Sequence, residues 1–177
     1  MALETPVWLQ AGVYPARLDR RALDELFRQQ NRVMRGIVVT QRAAGANFTV
    51  DVSPGAMVVR VTSQPNGGAF LLFSTAVENV PAGTSPGSGT RTDTLIAEVN
   101  DPNAGGAAGN NWVLRIIQGT TIPDNAVAVA RLARTNTESA ILNAAITDVA
   151  PRGEWSWTVS QNPPSGKGIP GDLWVQC

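Results

Sequence analysis

Apolar and polar positions along the chain follow three successive regimes. Residues 1–15 carry Val7, Trp8, Leu9, Val13 and Tyr14 between Pro6, Gly12 and Pro15. Two prolines and a glycine interrupt any helix there, so an extended arm with apolar side chains is expected. Between 16 and 33 the period becomes that of a helix. Leu18, Ala22 and Leu26 recur at i, i+4, with Gln29 and Val33 continuing the series, and Leu23 and Phe27 widen the stripe. Pro15 stands where a missing N–H costs nothing, and Gly36 stands where a C-terminal stop belongs.

From Ile37 the period falls to two. Phe48, Val50 and Val52 alternate with polar neighbours, then come Pro54-Gly55 and a second alternation at Met57, Val59 and Val61. This pattern predicts a strand, a turn and a returning strand. Asn66-Gly67 is a hairpin signal before Ala69–Ser74, which reads as a strand buried on both faces. Residues 81–89 are a loop by composition; Leu95, Ala97 and Val99 mark the next strand, 101–111 a long loop, and 112–117 another strand. Ala126–Leu132 fits a strand or a helical turn, and Ile141, Ile146 and Val149 are expected in the core. Beyond 150, Pro151, Pro163, Pro164 and Pro170 break the chain and Gly166, Gly168 and Gly171 loosen it, yet Trp155, Trp157 and Trp174 lie there. Each covered indole removes about 200 Å² from water, so this segment is expected to dock on its own domain or on a neighbour.

The elements imply a mainly β, sandwich-like or Greek-key domain of about six to eight strands, preceded by one amphipathic N-terminal helix and flanked by extended N- and C-terminal arms. The divisions expected are 1–35 for arm and helix, 36–150 for the β domain and 151–177 for the aromatic arm. At 177 residues the chain supplies about one domain.

Composition narrows the chemistry. With no histidine, catalytic triads and imidazole-ligated metals are excluded. Cys177 is the one cysteine, which leaves no internal disulfide and no thiolate cluster. Fourteen basic and fourteen acidic residues cancel, and all basic residues but Lys167 are arginines spread along the chain. A nucleic-acid partner needs a basic stripe, so none is expected. No apolar run approaches the roughly 18 residues of a spanning helix, so membrane insertion is not expected. The first residues lack a basic start and an apolar run, and synthesis in the cytosol follows as an expectation.

Carboxylates are the acid–base groups on offer. Asp93 and Glu98 lie five positions apart on one expected strand, which sends them to opposite faces; Asp93 is read as pairing with Arg91 or capping a turn rather than as half of a hydrolytic pair. Asp101, Asn103, Asn110 and Asn111 are oxygen donors beside glycines, a turn-forming set without calcium-loop spacing. Trp155 and Trp157 alternate onto one face, which suits a protein interface or, as an alternative, a sugar platform. No catalytic residue, metal or cofactor is assigned.

Five phrases occur in an order that resembles small virion proteins of tailed phages, mostly of actinobacterial hosts, of the minor tail, tail-fibre or baseplate kind. Tyr14–Leu23 is similar to their opening Y-x-A-x-x-D-R-R-x-L helix. Gly36–Val39 followed by Phe48–Gly55 is similar to G-V-V … V-x-V-x-P-G. Thr90–Val99 is similar to R-x-D-x-I-v-A-x-V, Ala140–Val149 to I … A-x-I-T-D-x-R, and Gly171–Val175 to G-D-x-W. Asp148-Val149-Ala150 lacks the arginine that ends the A-x-I-T-D-x-R phrase.

The resemblance implies a non-enzymatic virion protein, made in the host cytoplasm, that assembles with itself, as a homotrimer, and with other phage tail or capsid proteins. Capsid decoration or a head-fibre base is the structural alternative, and a host-glycan module the other. The residues expected at subunit contacts are Trp8, Val13 and Tyr14 of the arm, Leu18, Leu23, Leu26 and Phe27 of the helix, and Trp155, Trp157 and Trp174.

Overall fold

The computed structural model describes residues 16–102, 105 and 109–152, with the backbone of two short strands at 157–159 and 173–175. It is mainly β, with one N-terminal helix and several antiparallel sheets.

Helix α1 (Ala16–Leu26) ends seven residues before the periodicity does. Its stop is a Schellman-type closure: the Arg28 N–H donates to Glu25 O at 3.0 Å and the Gln29 N–H to Asp24 O at 2.7 Å. Arg28 and Gln29 hold φ of +55° and +57° without the help of a glycine. The cause is tertiary. Phe27, just past the helix, is buried with Val58 and Ala69, and Leu23 and Leu71 pack on the same cluster. Burying Phe27 fixes where the chain must turn, and Val33 then enters a strand.

Three antiparallel sheets enclose the main core. The first has the order β1 (Arg32–Gly36), β4 (Gly55–Val61), β5 (Gly68–Ser74). In the second β3 (Thr49–Val52) lies between β2 (Val39–Gln41) and β6 (Glu78–Pro81). The third runs β10 (Ile146–Asp148), β9 (Ala126–Thr135), β7 (Thr90–Asn100), β8 (Asn111–Gln118). Val50, Val52, Met57, Val59, Leu95 and Leu132 meet in one cluster, each with no exposed surface. The outer side of β4–β5 receives α1, which is why β4 is buried on both faces. Two polar ties hold the helix there: Arg60 Nε to Asp24 Oδ1 at 2.7 Å, and Arg20 Nε to the Asn66 carbonyl at 3.0 Å.

The expected hairpin across Pro54-Gly55 does not form. β3 bonds to β2 and β6, whereas β4 bonds to β1 and β5, so Pro54-Gly55 is a corner that carries the chain between sheets. Both edges of β3 are already occupied. Gly55 lies so close to β1 that an added Cβ would stand 2.3 Å from the Arg35 carbonyl oxygen. Gly36 is the other half of this crossing. It stops no helix; at φ +59° its own Cβ would stand 1.9 Å from Pro54 O.

The Asn66-Gly67 hairpin forms as expected, pairing Val61 with Gly68. Phe73, expected buried, is 55% exposed, and Val149 is exposed while Ile141 is fully buried. Ala126–Leu132 belongs to β9, and β6 is a strand without a clear alternation. The boundary at 35/36 falls inside β1. The Val33 N–H donates to Pro151 O at 2.9 Å, and Arg152 donates to the Gly36 and Ile37 carbonyls at 3.0 and 2.7 Å, so residues just past 150 clip onto the strand that opens the sheets. Backbone strands β11 (Trp157–Val159) and β12 (Leu173–Val175) pair in parallel with each other.

Candidate functional site

Asp93 stands on the side of β7 that carries Leu95, Ala97 and Val99 into the core, and it has no exposed surface. A carboxylate in such a place must be neutralised. Arg91 grips it with two bonds, Nε to Oδ1 at 2.6 Å and Nη2 to Oδ2 at 2.9 Å. From β9 comes Arg134, also fully buried, whose Nη1 donates to Asp93 Oδ2 at 3.2 Å. The Arg134 Nε donates to Glu138 Oε1, and its remaining donors reach the carbonyls of Ala82 at 3.1 Å and Gly83 at 3.4 Å. The Phe48 ring lies against the same guanidinium, 5.6 Å from its centroid. Two cations and two anions thus form one neutral cluster that ties β7, β9 and the loop after β6 together. The nearby Asp93 carboxylate holds the Arg91 guanidinium still further toward its charged form.

Glu98 is on the opposite face of β7, as the spacing requires. Arg115 of β8 clasps it with Nε and Nη2 at 2.5 and 3.1 Å, and this pairing lowers the Glu98 pKa below the usual carboxylate range. Asp51 is lowered as well, first by the Ala43 N–H and then by the Asn79 amide. Asp93 and Glu98 therefore point apart and each is bound by arginine. They share no cleft in which a bond could be cut between them.

Of the residues expected at subunit contacts, Leu18 and Phe27 are buried within the chain, at 6% and 7% exposure, and Leu23 packs on the Phe27 cluster. This corrects the expectation of a helix face kept for another copy: the outer side of β4–β5 is apolar and the helix covers it. Leu26 alone of the four is exposed. Trp8, Val13, Tyr14 and Trp155 lie outside the described residues, as do the side chains of Trp157 and Trp174. So does Asn103 of the oxygen-rich loop, in which Asp101 lies 3.9 Å from Arg20. Among the described residues no three His, Cys, Asp or Glu side chains gather as metal ligands, and no helix is long and apolar enough to cross a membrane.

One feature escaped the sequence pattern. An open groove of about 410 Å³ lies where β5, β6 and β8 meet, each an outer strand of its sheet. Phe73, Glu78, Asn79 and Trp112 line it, with Thr75 at the turn after β5. Its residues come from three separate strands, so no local spacing marks it. Arg134 did leave a sign: it falls on the core-facing alternation of Leu132, two residues further on.

The sheets and the arginine-locked acids define a mainly β scaffold. Comparison with protein-family models, curated proteins and solved structures finds no match for this chain.

Proposed function

We propose that this chain is a structural protein of a tailed-phage particle, of the minor tail or baseplate-adaptor kind, and that it works by assembly. The five ordered phrases of the resemblance carry this reading. The site geometry supports it: Asp93 and Glu98, the two acids weighed as a hydrolytic pair, are bound by Arg91, Arg134 and Arg115. Apolar side chains at Leu26, Met34, Val38, Val77 and Leu142 remain exposed and are available to a neighbouring subunit. A homotrimer is the assembly proposed.

Two measurements test the proposal. Sedimentation equilibrium of the purified chain is expected to give a trimer mass, and a monomer across the concentration range counts against assembly. Gold-labelled antibody against the chain is expected to decorate tailed particles from the producing lysate. Label confined to the particle-free fraction overturns the virion assignment.

A further inference from the structure

The groove between β5, β6 and β8 has a chemistry that the assembly reading does not use. Its volume of about 410 Å³ lies in the lower part of the range for small-ligand sites. Phe73 is the one exposed aromatic among the described residues, at 55%, although it sits within a strand. Trp112 also lines the groove, half-buried and packed on the core.

Polar groups line the groove as well. The Glu78 side chain is exposed and, among the described residues, makes neither an ion pair nor a hydrogen bond. Asn79 is held in place, its Nδ2 donating to Thr49 Oγ1 and Asp51 Oδ1, both at 2.8 Å. Thr75 adds an exposed hydroxyl.

Each property removes a class of ligand. Glu78 is the only charged residue in the lining, so phosphate, sulfate and uronate groups are repelled. The polar groups among the lining disfavour a purely apolar ligand, which would leave them without partners. A molecule with one apolar face and many hydroxyls meets both conditions. A pyranose or furanose ring presents C–H bonds to the negative face of an aromatic ring and hydroxyl donors to a carboxylate.

We infer that the groove of Phe73, Glu78 and Trp112 is a binding site for a neutral saccharide, with Phe73 as the stacking face and Glu78 as the hydroxyl acceptor. The site stands on residues other than Trp155 and Trp157 and does not depend on the particle to which the chain belongs.

Titration calorimetry with neutral di- and trisaccharides of glucose, galactose, mannose and arabinose tests it on the full chain. At least one is expected to bind with a Kd of about 1 mM. Phe73→Ala removes the exposed stacking face and is expected to weaken binding about tenfold. Glu78→Gln keeps the shape of the groove and is expected to weaken the same sugar about fivefold, which keeps the test valid should Phe73→Ala disturb the fold. No saturable heat with any of these sugars overturns the inference. So does binding that both substitutions leave unchanged, tighter binding of a sulfated sugar than of its neutral parent, or saturable binding of an extended apolar peptide in place of sugar.

Discussion

Arg134 and Asp93 face each other across adjacent strands at 3.2 Å, and neither has any surface in contact with solvent. Two charges taken this far from water cost several kcal/mol each before their mutual attraction and hydrogen bonds offset the loss. Here the offset is shared, since Arg91 completes Asp93 and Glu138 completes Arg134. The cluster joins β7 to β9 through Asp93 and Arg134. Its geometry also places the loop after β6, whose carbonyls at Ala82 and Gly83 accept from Arg134.

Asp93→Asn is expected to destabilise the fold by about 3 kcal/mol, because breaking one partner leaves buried charge behind. Glu138 still answers Arg134, which keeps the cost at the lower end. Arg134→Met is expected also to free the carbonyls at 82 and 83, so amide exchange in 82–89 should speed up. Urea midpoints measure the first, hydrogen exchange the second; a change under about 1 kcal/mol for Asp93→Asn refutes the buried-cluster account.

The Glu98–Arg115 pair sets a pH dependence. Arg115 lowers the folded Glu98 pKa, so the pair contributes stability above the unfolded value near 4.5 and loses it as pH falls through the folded value. The Arg115 side chain is 45% exposed, which limits the gain to below about 1 kcal/mol. Arg115→Gln should therefore be less stable than the parent at pH 7, with the gap closing below pH 4.5 and shrinking in salt. A gap that widens on acidification contradicts the assignment.

Gly36→Ala tests the corner between sheets. The left-handed φ of +59° costs an alanine about 1–2 kcal/mol, and the 1.9 Å approach to Pro54 O forces backbone to move as well. A loss above about 3 kcal/mol is expected in total. Gly87→Ala is the control, having open space around its Cβ and no positive φ, and should lie within about 0.5 kcal/mol of the parent. Equal melting temperatures for the two variants reject the crossing as the reason for glycine.

Phe27 and Leu26 are neighbours with opposite roles. Phe27→Ala empties the space between helix and sheet and should cost about 3 kcal/mol. Leu26 is 57% exposed, so Leu26→Asp should leave the melting temperature close to the parent's while weakening self-association. Chemical unfolding and sedimentation separate the two effects. If Leu26→Asp unfolds the domain, the helix face has been misplaced.

The mainly β class, the single helix, the Asn66-Gly67 hairpin and the opposed faces of Asp93 and Glu98 were legible from the chain, because each rests on local period or turn chemistry. The same holds for the Arg91–Asp93 pair, two positions apart on one strand. Tertiary contacts decided the rest. Period cannot tell which strand a strand will join, so Pro54-Gly55 read as a hairpin and became a passage between sheets. Nor can it place a helix end that is set by burial of Phe27 rather than by a glycine. Arg134 is buried only because Asp93 and Glu138, distant and near in sequence, meet it in one place. The groove exists only where three strand edges converge. Local sequence fixes what a segment prefers; which surfaces it meets depends on the sum of apolar burial over the whole fold.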